Sequence, residues 1–417
     1  MRNIKIGLIA VFSILAIWLS IVMVRGITGH KIIYLKNNAS QSSSQDMRLV
    51  LDEEVKLDGI DDLRVLYDMN GNDVYIYEGE GNTLIIKEYL GSEIKDNEAS
   101  TVSVNGSKLE IKGKKRNTSG FTFFFHIGTS NFGNGSYTEI WLPASYQGNL
   151  QITTASGDII SEPDIMLTEC FEAASTSGTI SIPSVDAKEV SVCSTSGDIK
   201  IDMINTKSDN KDARIDIATT SGDMYFKNLS GVISIATTSG YVTAESISGD
   251  AEFASTSGDI NVKHIDGNAD ITSTSGFVKI SEGSGARKVA TTSGDIVLEG
   301  TAGELDINTA SGEISIKAQK GAGSIETISG DVRLELPELT GDLDINTTSG
   351  EIGMKIAESN SFEFEANSTS GDINTFFDDS LKFSKRGNSA IGTYGSDAQG
   401  HKIDIETTSG DVRITKN

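Results

Sequence analysis

Four consecutive stretches of equal length decide the fold of this chain. They read TTSGYVTAESISGDAEFA at 237–254, STSGDINVKHIDGNADIT at 255–272, STSGFVKISEGSGARKVA at 273–290 and TTSGDIVLEGTAGELDIN at 291–308. The Ser-Gly pair near the start of each stretch recurs at this place in thirteen repeats, with its glycine at Gly157, Gly178, Gly197, Gly222, Gly240, Gly258, Gly276, Gly294, Gly312, Gly330, Gly350, Gly371 and Gly410. From Gly222 to Gly330 every interval is the same, and such a short fixed period is typical of a solenoid.

Apolar residues keep fixed positions relative to the Ser-Gly glycine. They occur two and four positions after it, as at Ile260 and Val262, and five positions before it, as at Phe253 and Ile271. Most repeats add another apolar residue two positions earlier still, and a spacing of two is the strand period that sends alternate side chains to one face. The pattern therefore predicts an all-β, β-helix-like solenoid with two short strands in each coil and parallel pairing between coils, the four named side chains pointing inward.

The segments on either side of the regular repeats depart from this pattern. Residues 47–150 are rich in predicted strands but not repetitive, and a solenoid needs atypical terminal units to cover its open edges. We therefore expect 47–150 to form a strand-rich amino-terminal cap and 151–371 to form the β-solenoid repeats. Residues 372–417 are expected to form the carboxyl-terminal coil and cap.

A membrane anchor is predicted at the amino terminus. The run from Ile6 to Val24 carries no charge and is long enough for a helix to cross a bilayer. No small-residue cleavage pattern follows it, so an uncleaved single-pass anchor over 1–27 is favoured over a cleaved signal peptide. Residues 28–46 are predicted to be a flexible spacer, and the short amino-terminal tail favours an extracytoplasmic location for residues 28–417.

The Ser-Gly corners are the most regular polar feature. The glycine is expected to supply a positive φ, and the Ser or Thr three residues before it is expected to bond to backbone groups and to its counterpart one coil away. An acid follows the glycine in ten of the thirteen copies. Such acids are expected to bond to backbone amides. A surface ladder that bridges cations, with weak Ca²⁺ binding, is the alternative for Asp223, Asp259, Asp295, Glu313 and Asp331.

Charge limits the classes of partner. The net charge is −24, and residues 151–417 carry 42 acids against 20 bases. Such a surface repels nucleic acid and favours cationic partners, including metal ions, basic proteins and amine-bearing wall polymers. The four histidines, at positions 30, 126, 264 and 401, match no metal-ligand or catalytic spacing, and no nucleophile or phosphate-loop motif occurs. We predict no catalytic, cofactor-binding or dedicated metal-binding residues.

One position breaks the inward apolar pattern. Arg287 stands where other repeats place an apolar residue, beside Lys288 and near Glu282. A buried arginine paired with an acid is one interpretation, and a local turn of the strand that exposes the side chain is the favoured one. If the chain were an enzyme, this break would be the best candidate for its site.

The repeated T-T-S-G-D-I, the lead-in W-L-P followed by L-Q-I-T-T-A-S-G-D-I, and the single amino-terminal helix carry a resemblance. Over roughly residues 50–417 the chain resembles a bacterial putative-adhesin family of β-strand-repeat proteins, a domain of unknown function. The resemblance implies an exported envelope protein and supplies no known catalytic residues.

These features favour a non-enzymatic, membrane-anchored protein of the cell envelope. It would present a rigid acidic β-solenoid for adhesion or other envelope interactions, with a cell-wall polymer or envelope protein as partner. Two alternatives stay open. The first is a β-helical enzyme acting on envelope polysaccharide, and the second is a membrane-bound scaffold on the cytoplasmic side.

Overall fold

A computed structural model describes residues 47–67, 71–91, 94–114, 136–206, 213–318, 320–384, 386–395 and 400–417. The predicted anchor at 1–27 and spacer at 28–46 lie outside these residues. Within the described ranges, no helix is both long and apolar enough to cross a bilayer. The chain divides into two compact units, residues 1–225 and residues 226–417.

The first unit is built from strands, with one turn of 3₁₀ helix at Asp96–Glu98. The strands are β1 (Met47–Lys56), β2 (Asp62–Tyr67), β3 (Asp73–Gly79), β4 (Thr83–Gly91), β5 (Thr101–Asn105), β6 (Lys108–Lys112), β7 (Tyr137–Pro143), β8 (Asn149–Thr154), β9 (Ile159–Ser161), β10 (Ile165–Met166), β11 (Cys170–Ser175), β12 (Ile180–Asp186), β13 (Glu189–Ser194), β14 (Ile199–Asn205) and β15 (Arg214–Thr219). Strand β16 (Met224–Ser230) follows at the boundary.

The second unit has the same character, with a 3₁₀ turn at Asp378–Ser380. Its strands are β17 (Val232–Thr237), β18 (Val242–Ser248), β19 (Ala251–Ser255), β20 (Ile260–Asp266), β21 (Ala269–Ser273), β22 (Val278–Ser284), β23 (Arg287–Thr291), β24 (Ile296–Glu299), β25 (Thr301–Thr309), β26 (Ile314–Lys317), β27 (Lys320–Thr327), β28 (Val332–Leu336), β29 (Glu338–Thr347), β30 (Ile352–Ile356), β31 (Phe362–Ser368), β32 (Ile373–Thr375), β33 (Leu381–Phe383), β34 (Ser389–Tyr394), β35 (Lys402–Thr407) and β36 (Val412–Lys416).

Parallel pairing between every second strand builds both units, so the all-β prediction is confirmed. In the first unit β8, β11, β13 and β15 form one ladder, and β9, β12 and β14 form another. In the second unit β17, β19, β21 and β23 form one ladder, and β18, β20, β22 and β24 form the other. Each repeat thus contributes one strand to each ladder, as in a β-solenoid.

The core follows the predicted apolar positions and adds one. Ile260, Val262, Phe253 and Ile271 are all buried, which confirms their inward orientation. A further inward position lies seven residues after the Ser-Gly glycine, as at Ile265. The sequence period did not predict this position because the alternation of inward and outward residues breaks within the longer strand. In the register of β18 against β20, Ala244 pairs with Val262 and Ser246 with His264, and the residue between them is passed over.

The Ser-Gly glycines serve close stacking of successive corners. Contrary to expectation, none of those that the structure describes has a positive φ. A Cβ added at Gly276 would instead fall on the carbonyl oxygen of Gly258, well inside van der Waals contact. Positive φ values occur at the second corner, as at Gly249 (126°) and Gly267 (143°). The second corner therefore requires glycine for its φ as well as for the close stacking that both corners share.

Gly276→Ala should lower the free energy of unfolding by about 2–3 kcal/mol, because the added methyl forces two corners apart as overpacking does in a core. Gly353→Ala is the matched control, since the nearest heavy atom to its added Cβ lies 4.0 Å away. Its effect should stay within about 0.5 kcal/mol. Urea unfolding of both variants measures the difference. Equal effects would contradict a stacking role for the Ser-Gly glycine.

At the amino-terminal end, coils do not stack in sequence order. Strands β2 and β3 precede β6 to β9 in the chain, yet they lie between β6 and β7 on one side and β8 and β9 on the other. Antiparallel strands complete this end: β1 pairs with β4, β4 with β7, and β5 with β6. This arrangement covers the open edge of the repeats. The domain boundaries proposed at residues 150 and 371 stay predictions.

At the carboxyl-terminal end the order of strands is also altered, but here the last strands lie between earlier ones. Strands β35 and β36, the last in the chain, insert between β29 and β30 on one side and β31 and β32 on the other. Gly410 therefore stacks on Gly350, and Gly371 stacks on Gly410. Strand β34 closes the end by pairing antiparallel with β31 and β33. At this end too, the coils do not stack in sequence order.

Candidate functional site

The acids that follow the Ser-Gly glycines bond to the backbone of the next corner. The Oδ1 of Asp259 accepts the Phe277 N–H at 2.8 Å, and the Oδ1 of Asp295 accepts the Glu313 N–H at 2.8 Å. Asp331 does the same for Glu351 at 3.0 Å. These bonds satisfy amides that the flanking strands leave unpaired. The expected backbone-bonding role of these acids is therefore observed.

Buried hydroxyls complete each corner. The Thr309 Oγ1 accepts the Gly312 N–H at 3.1 Å and contacts the Thr291 Oγ1 at 2.8 Å. The Ser273 Oγ accepts the Gly276 N–H at 3.0 Å. Bonding to the local backbone and to the same position one repeat away are both as expected, and the hydroxyls are buried rather than displayed to a ligand.

The five acids proposed as a cation-bridging ladder do not form one series. Tyr241 and Phe277 occupy the corner position on either side of Asp259, so its nearest stacked neighbours carry no charge. Glu313 and Asp331 are paired with Arg333. The backbone N–H of Asp223 donates to Asp198 Oδ1 at 2.8 Å. Across the described ranges, no three Asp, Glu, His or Cys side chains converge to hold a metal ion. Cation bridging by these acids stays a prediction.

Asp295→Asn should leave the free energy of unfolding within about 0.5 kcal/mol of the parent, because the amide oxygen can still accept the Glu313 N–H. Asp295→Ala removes the acceptor and should cost about 1 kcal/mol. Chemical denaturation of the two variants side by side measures the difference. A larger loss for the asparagine variant would mean that charge, and not the backbone bond, is what the corner needs.

Arg287 is buried and points inward, so the favoured interpretation of a locally turned strand is wrong. Its side chain is 1% exposed. Nη1 donates to the Gly267 carbonyl at 2.8 Å, and Nη2 donates to those of Ile265 and Ser284, each at 2.9 Å. No described acid contacts the guanidinium, and burial lowers the pKa of Arg287. Gly283, at the inward position that Ile265 fills one repeat earlier, leaves room for the side chain.

On the surface of β20 a histidine lies between two acids. His264 Nε2 lies 3.0 Å from Asp266 Oδ2, and its Nδ1 lies 3.8 Å from Glu282 Oε2. Asp266 also accepts the Ser284 hydroxyl at 2.9 Å, and its pKa is lowered by the bond from His264 and by this hydroxyl. All of these side chains project from flat strand faces. The arrangement is a hydrogen-bonded cluster on the surface and offers no enclosed substrate site.

Sequence reasoning missed a buried polar cluster in the amino-terminal cap. Glu88 is fully buried; its carboxylate accepts bonds from the Asn72 amide at 2.9 Å and from the Ser100 N–H at 2.6 Å and hydroxyl at 2.9 Å. Tyr67 and Thr138 bond to each other beside it at 2.6 Å. The signal was an acid at an inward position of β4. Its full set of bonds indicates a structural role.

Comparison with known families is decisive for the class of fold. A family model described as Toastrack DUF4097 matches residues 64–285, 248–340 and 286–415. The chain belongs to the Toastrack family. The matched ranges cover nearly all residues that form Toastrack ladders here, and they agree with the resemblance to adhesin-like repeat proteins of unknown function. No curated protein matches this Toastrack chain.

Three solved structures are similar to this Toastrack chain at low identity. A putative cell adhesion protein from Clostridium sporogenes is 11% identical, with 90% of this chain and 100% of that chain covered and a TM-score of 0.18. From Parabacteroides distasonis, a putative lipid binding protein is 15% identical (73% and 96% covered, TM-score 0.29). A putative adhesin from the same organism is 12% identical (74% and 97% covered, TM-score 0.23). Scores at this level carry no argument about function.

Proposed function

We propose that this chain is a non-enzymatic, membrane-anchored protein of the cell envelope that presents a rigid, acidic β-solenoid for adhesion or other envelope interactions. The observation that carries the proposal is the use of the corner acids. Asp259, Asp295 and Asp331 direct a carboxylate oxygen to the backbone of the next repeat. A polysaccharide-cleaving enzyme needs carboxyl groups that face the substrate at a local departure from the repeat.

The enzyme alternative loses its best candidate residue. Arg287 would have to reach a substrate, yet its guanidinium is enclosed and bonded to backbone carbonyls. The neighbouring Lys288 pairs with Asp270 at 2.7 Å on the strand surface. These contacts favour binding without turnover, with structural acids and bases repeated along the ladders.

The proposed location is the outer side of the cytoplasmic membrane, with a single-pass anchor at 6–24 and residues 28–417 extracytoplasmic. The uncharged run at 6–24 supports the anchor. Protease added to intact, wall-stripped cells should digest the repeats. Protection that persists until lysis would place the chain on the cytoplasmic side as a membrane-bound scaffold.

The partner class follows from charge. With 42 acids and 20 bases in residues 151–417, the repeats repel nucleic acid and attract cations, so a cationic cell-wall polymer or envelope protein is the proposed partner. The full chain, purified in neutral detergent, should be retained on wall fractions without releasing soluble fragments. Release of oligosaccharides would contradict a non-enzymatic role, and absence of retention on every fraction would contradict adhesion. Parallel assays with calcium and with chelator test cation bridging.

A further inference from the structure

An aromatic face stands on the outside of the amino-terminal cap. It consists of Tyr75 and Tyr77 on β3, Tyr89 on β4, and Tyr137 and Trp141 on β7, and all five side chains are half-buried. The alternate residues of the same strands point into the core. Along the repeats the corresponding outward strand positions are mostly small or polar. A concentration of partly exposed rings of this kind marks an interaction surface in soluble domains.

The rings form an array of two contacting groups, one of Tyr75, Tyr89 and Tyr137 and one of Tyr77 and Trp141. Tyr89 and Tyr137 are stacked, with centroids 4.6 Å apart and planes at 17°. Tyr75 meets Tyr137 edge to face at 5.8 Å, and Tyr77 meets Trp141 at 5.0 Å. These mutual contacts hold the rings in fixed orientations on a paired sheet. Binding of a ligand therefore costs little further side-chain entropy in the protein.

A carboxylate lies within this array. Glu139 is the outward residue of β7 between Tyr137 and Trp141, and the register places it opposite Tyr75 on β3 and Lys87 on β4. Its charge contributes to the raised pKa of Tyr77, Tyr89 and Tyr137, after burial as the larger cause. A negative group walled by aromatic rings is the environment that binds an organic ammonium ion through charge and cation–π attraction.

The surroundings add negative charge. Asp73 pairs with Tyr137 in the β3–β7 register, and its Oδ1 accepts the Asp158 N–H at 2.9 Å. Glu162 follows the end of β9, and its charge also acts on Tyr77. The carboxylates of these residues and of Glu139 outnumber the ammonium of Lys87 at this face. The imbalance selects a cationic ligand over a neutral one.

The sheet itself offers no backbone to a partner at this place. Strand β3 is hydrogen-bonded to β7 and β9, and β7 is hydrogen-bonded to β3 and β4. Addition of a peptide strand, which needs an open edge, is therefore blocked here. Recognition must come from ring surfaces and carboxylates. The indole Nε1 of Trp141, buried and without a hydrogen-bond partner among the described residues, is a further polar group at this face.

We propose that the aromatic face binds a polysaccharide that carries free amino groups. Sugar rings offer flat apolar C–H surfaces that pack against aromatic rings, and each ammonium group can approach Glu139 between Tyr137 and Trp141. The inference rests on the proposed role as an envelope-binding protein and names the surface and ligand class for it. The repeats then hold this face in place, while their corner acids accept hydrogen bonds from the backbone.

Binding to defined oligosaccharides tests the proposal. The full chain in neutral detergent is titrated with a hexamer of β-1,4-linked glucosamine, with the fully N-acetylated hexamer, and with hexalysine. The glucosamine hexamer should bind at least about tenfold more tightly than either other probe. Glu139→Gln and Trp141→Ala should each weaken its binding about tenfold, whereas Trp141→Phe should retain most of it.

Two control variants lie on the second unit. Tyr241→Ala removes an exposed ring, and Glu326→Gln removes an exposed acid. Both should bind like the parent, and all variants should show the parent's thermal transition. Equal affinity for the acetylated hexamer, or unchanged binding by Glu139→Gln, would overturn ammonium recognition. If hexalysine bound as tightly as the glucosamine hexamer and depended on the same residues, the result would overturn a polysaccharide as the ligand in favour of a basic protein.

The wall-fraction assay separates failure of this inference from failure of the proposed function. Parent protein retained on walls, with Glu139→Gln and Trp141→Ala retained equally, would overturn the aromatic face as the site and leave the adhesive role standing. Parent protein retained on no fraction would remove the adhesive role itself. Retention that both variants lose supports both conclusions.

Discussion

Deletion of residues 401–417 is expected to abolish the cooperative unfolding transition of the second unit. Strands β35 and β36 lie inside the stack, so their removal leaves a gap of two strand spacings, about 9.6 Å. Ile403, Ile405, Val412 and Ile414 are all buried. Burial of four such side chains contributes about 6–12 kcal/mol, as much as the whole stability of a typical domain.

The control deletion removes one regular repeat, residues 259–276. It joins Gly258 to Phe277 and preserves the period, so the remaining coils can close up in register. Thermal unfolding by circular dichroism and limited proteolysis with mass spectrometry compare the two deletions. The repeat deletion should keep a cooperative transition. A transition for the 401–417 deletion within about 2 °C of the parent would contradict the insertion of the last coil.

Phe253→Asp is expected to cost at least about 5 kcal/mol and to unfold the coils around it. Phe253 is 1% exposed, and the register places it between Ile235 and Ile271, both buried. The substitution leaves a cavity, which costs about 3–5 kcal/mol for loss of a phenylalanine, and buries an unpaired charge. Because burial raises the folded-state pKa of the new carboxyl, the penalty should be smaller at about pH 4 than at about pH 7.

The same substitution at Phe277 is the control. Phe277 occupies the corner position that Asp259 and Asp295 take in neighbouring repeats, and its side chain is half-buried on the outside. Phe277→Asp should be tolerated, because its carboxylate can accept the backbone N–H of the next corner as those of its neighbours do. Denaturant titrations at both pH values measure the two variants. Similar losses would mean that inward position does not decide the effect.

Periodicity predicted the residues that repeat and missed those that do not. Alternation around the Ser-Gly glycine identified Ile260 and Val262 as inward, because alternate residues of a strand point to opposite faces and only one face is buried. It could not identify the order of coils at either end, since the pattern fixes which face a residue takes and not which coil lies beside it. Strands β35 and β36 have ordinary repeat sequences, and nothing local marks their insertion.

The candidate sites show the same division. The backbone role of Asp295 was predictable, because a polar side chain after a corner glycine has a local amide to bind. The inward course of Arg287 depends on Gly283, a residue at a position that the period had not assigned to the core. The aromatic face depends on three strands that are distant in sequence, so only the pairing of β3, β4 and β7 reveals it.

Insertion of the last coil delays the pairing of earlier strands while the chain is being synthesised. Residues 362–375 leave the ribosome before residues 402–416, yet their ladder partners are those later strands. At about 5–20 residues per second, roughly 2–8 s pass before the partners have been made. During that interval Phe362 and Phe364, buried in the finished protein, lack the strand that covers their edge. A chaperone that binds exposed apolar segments of the nascent chain is therefore expected to bind at residues 362–375.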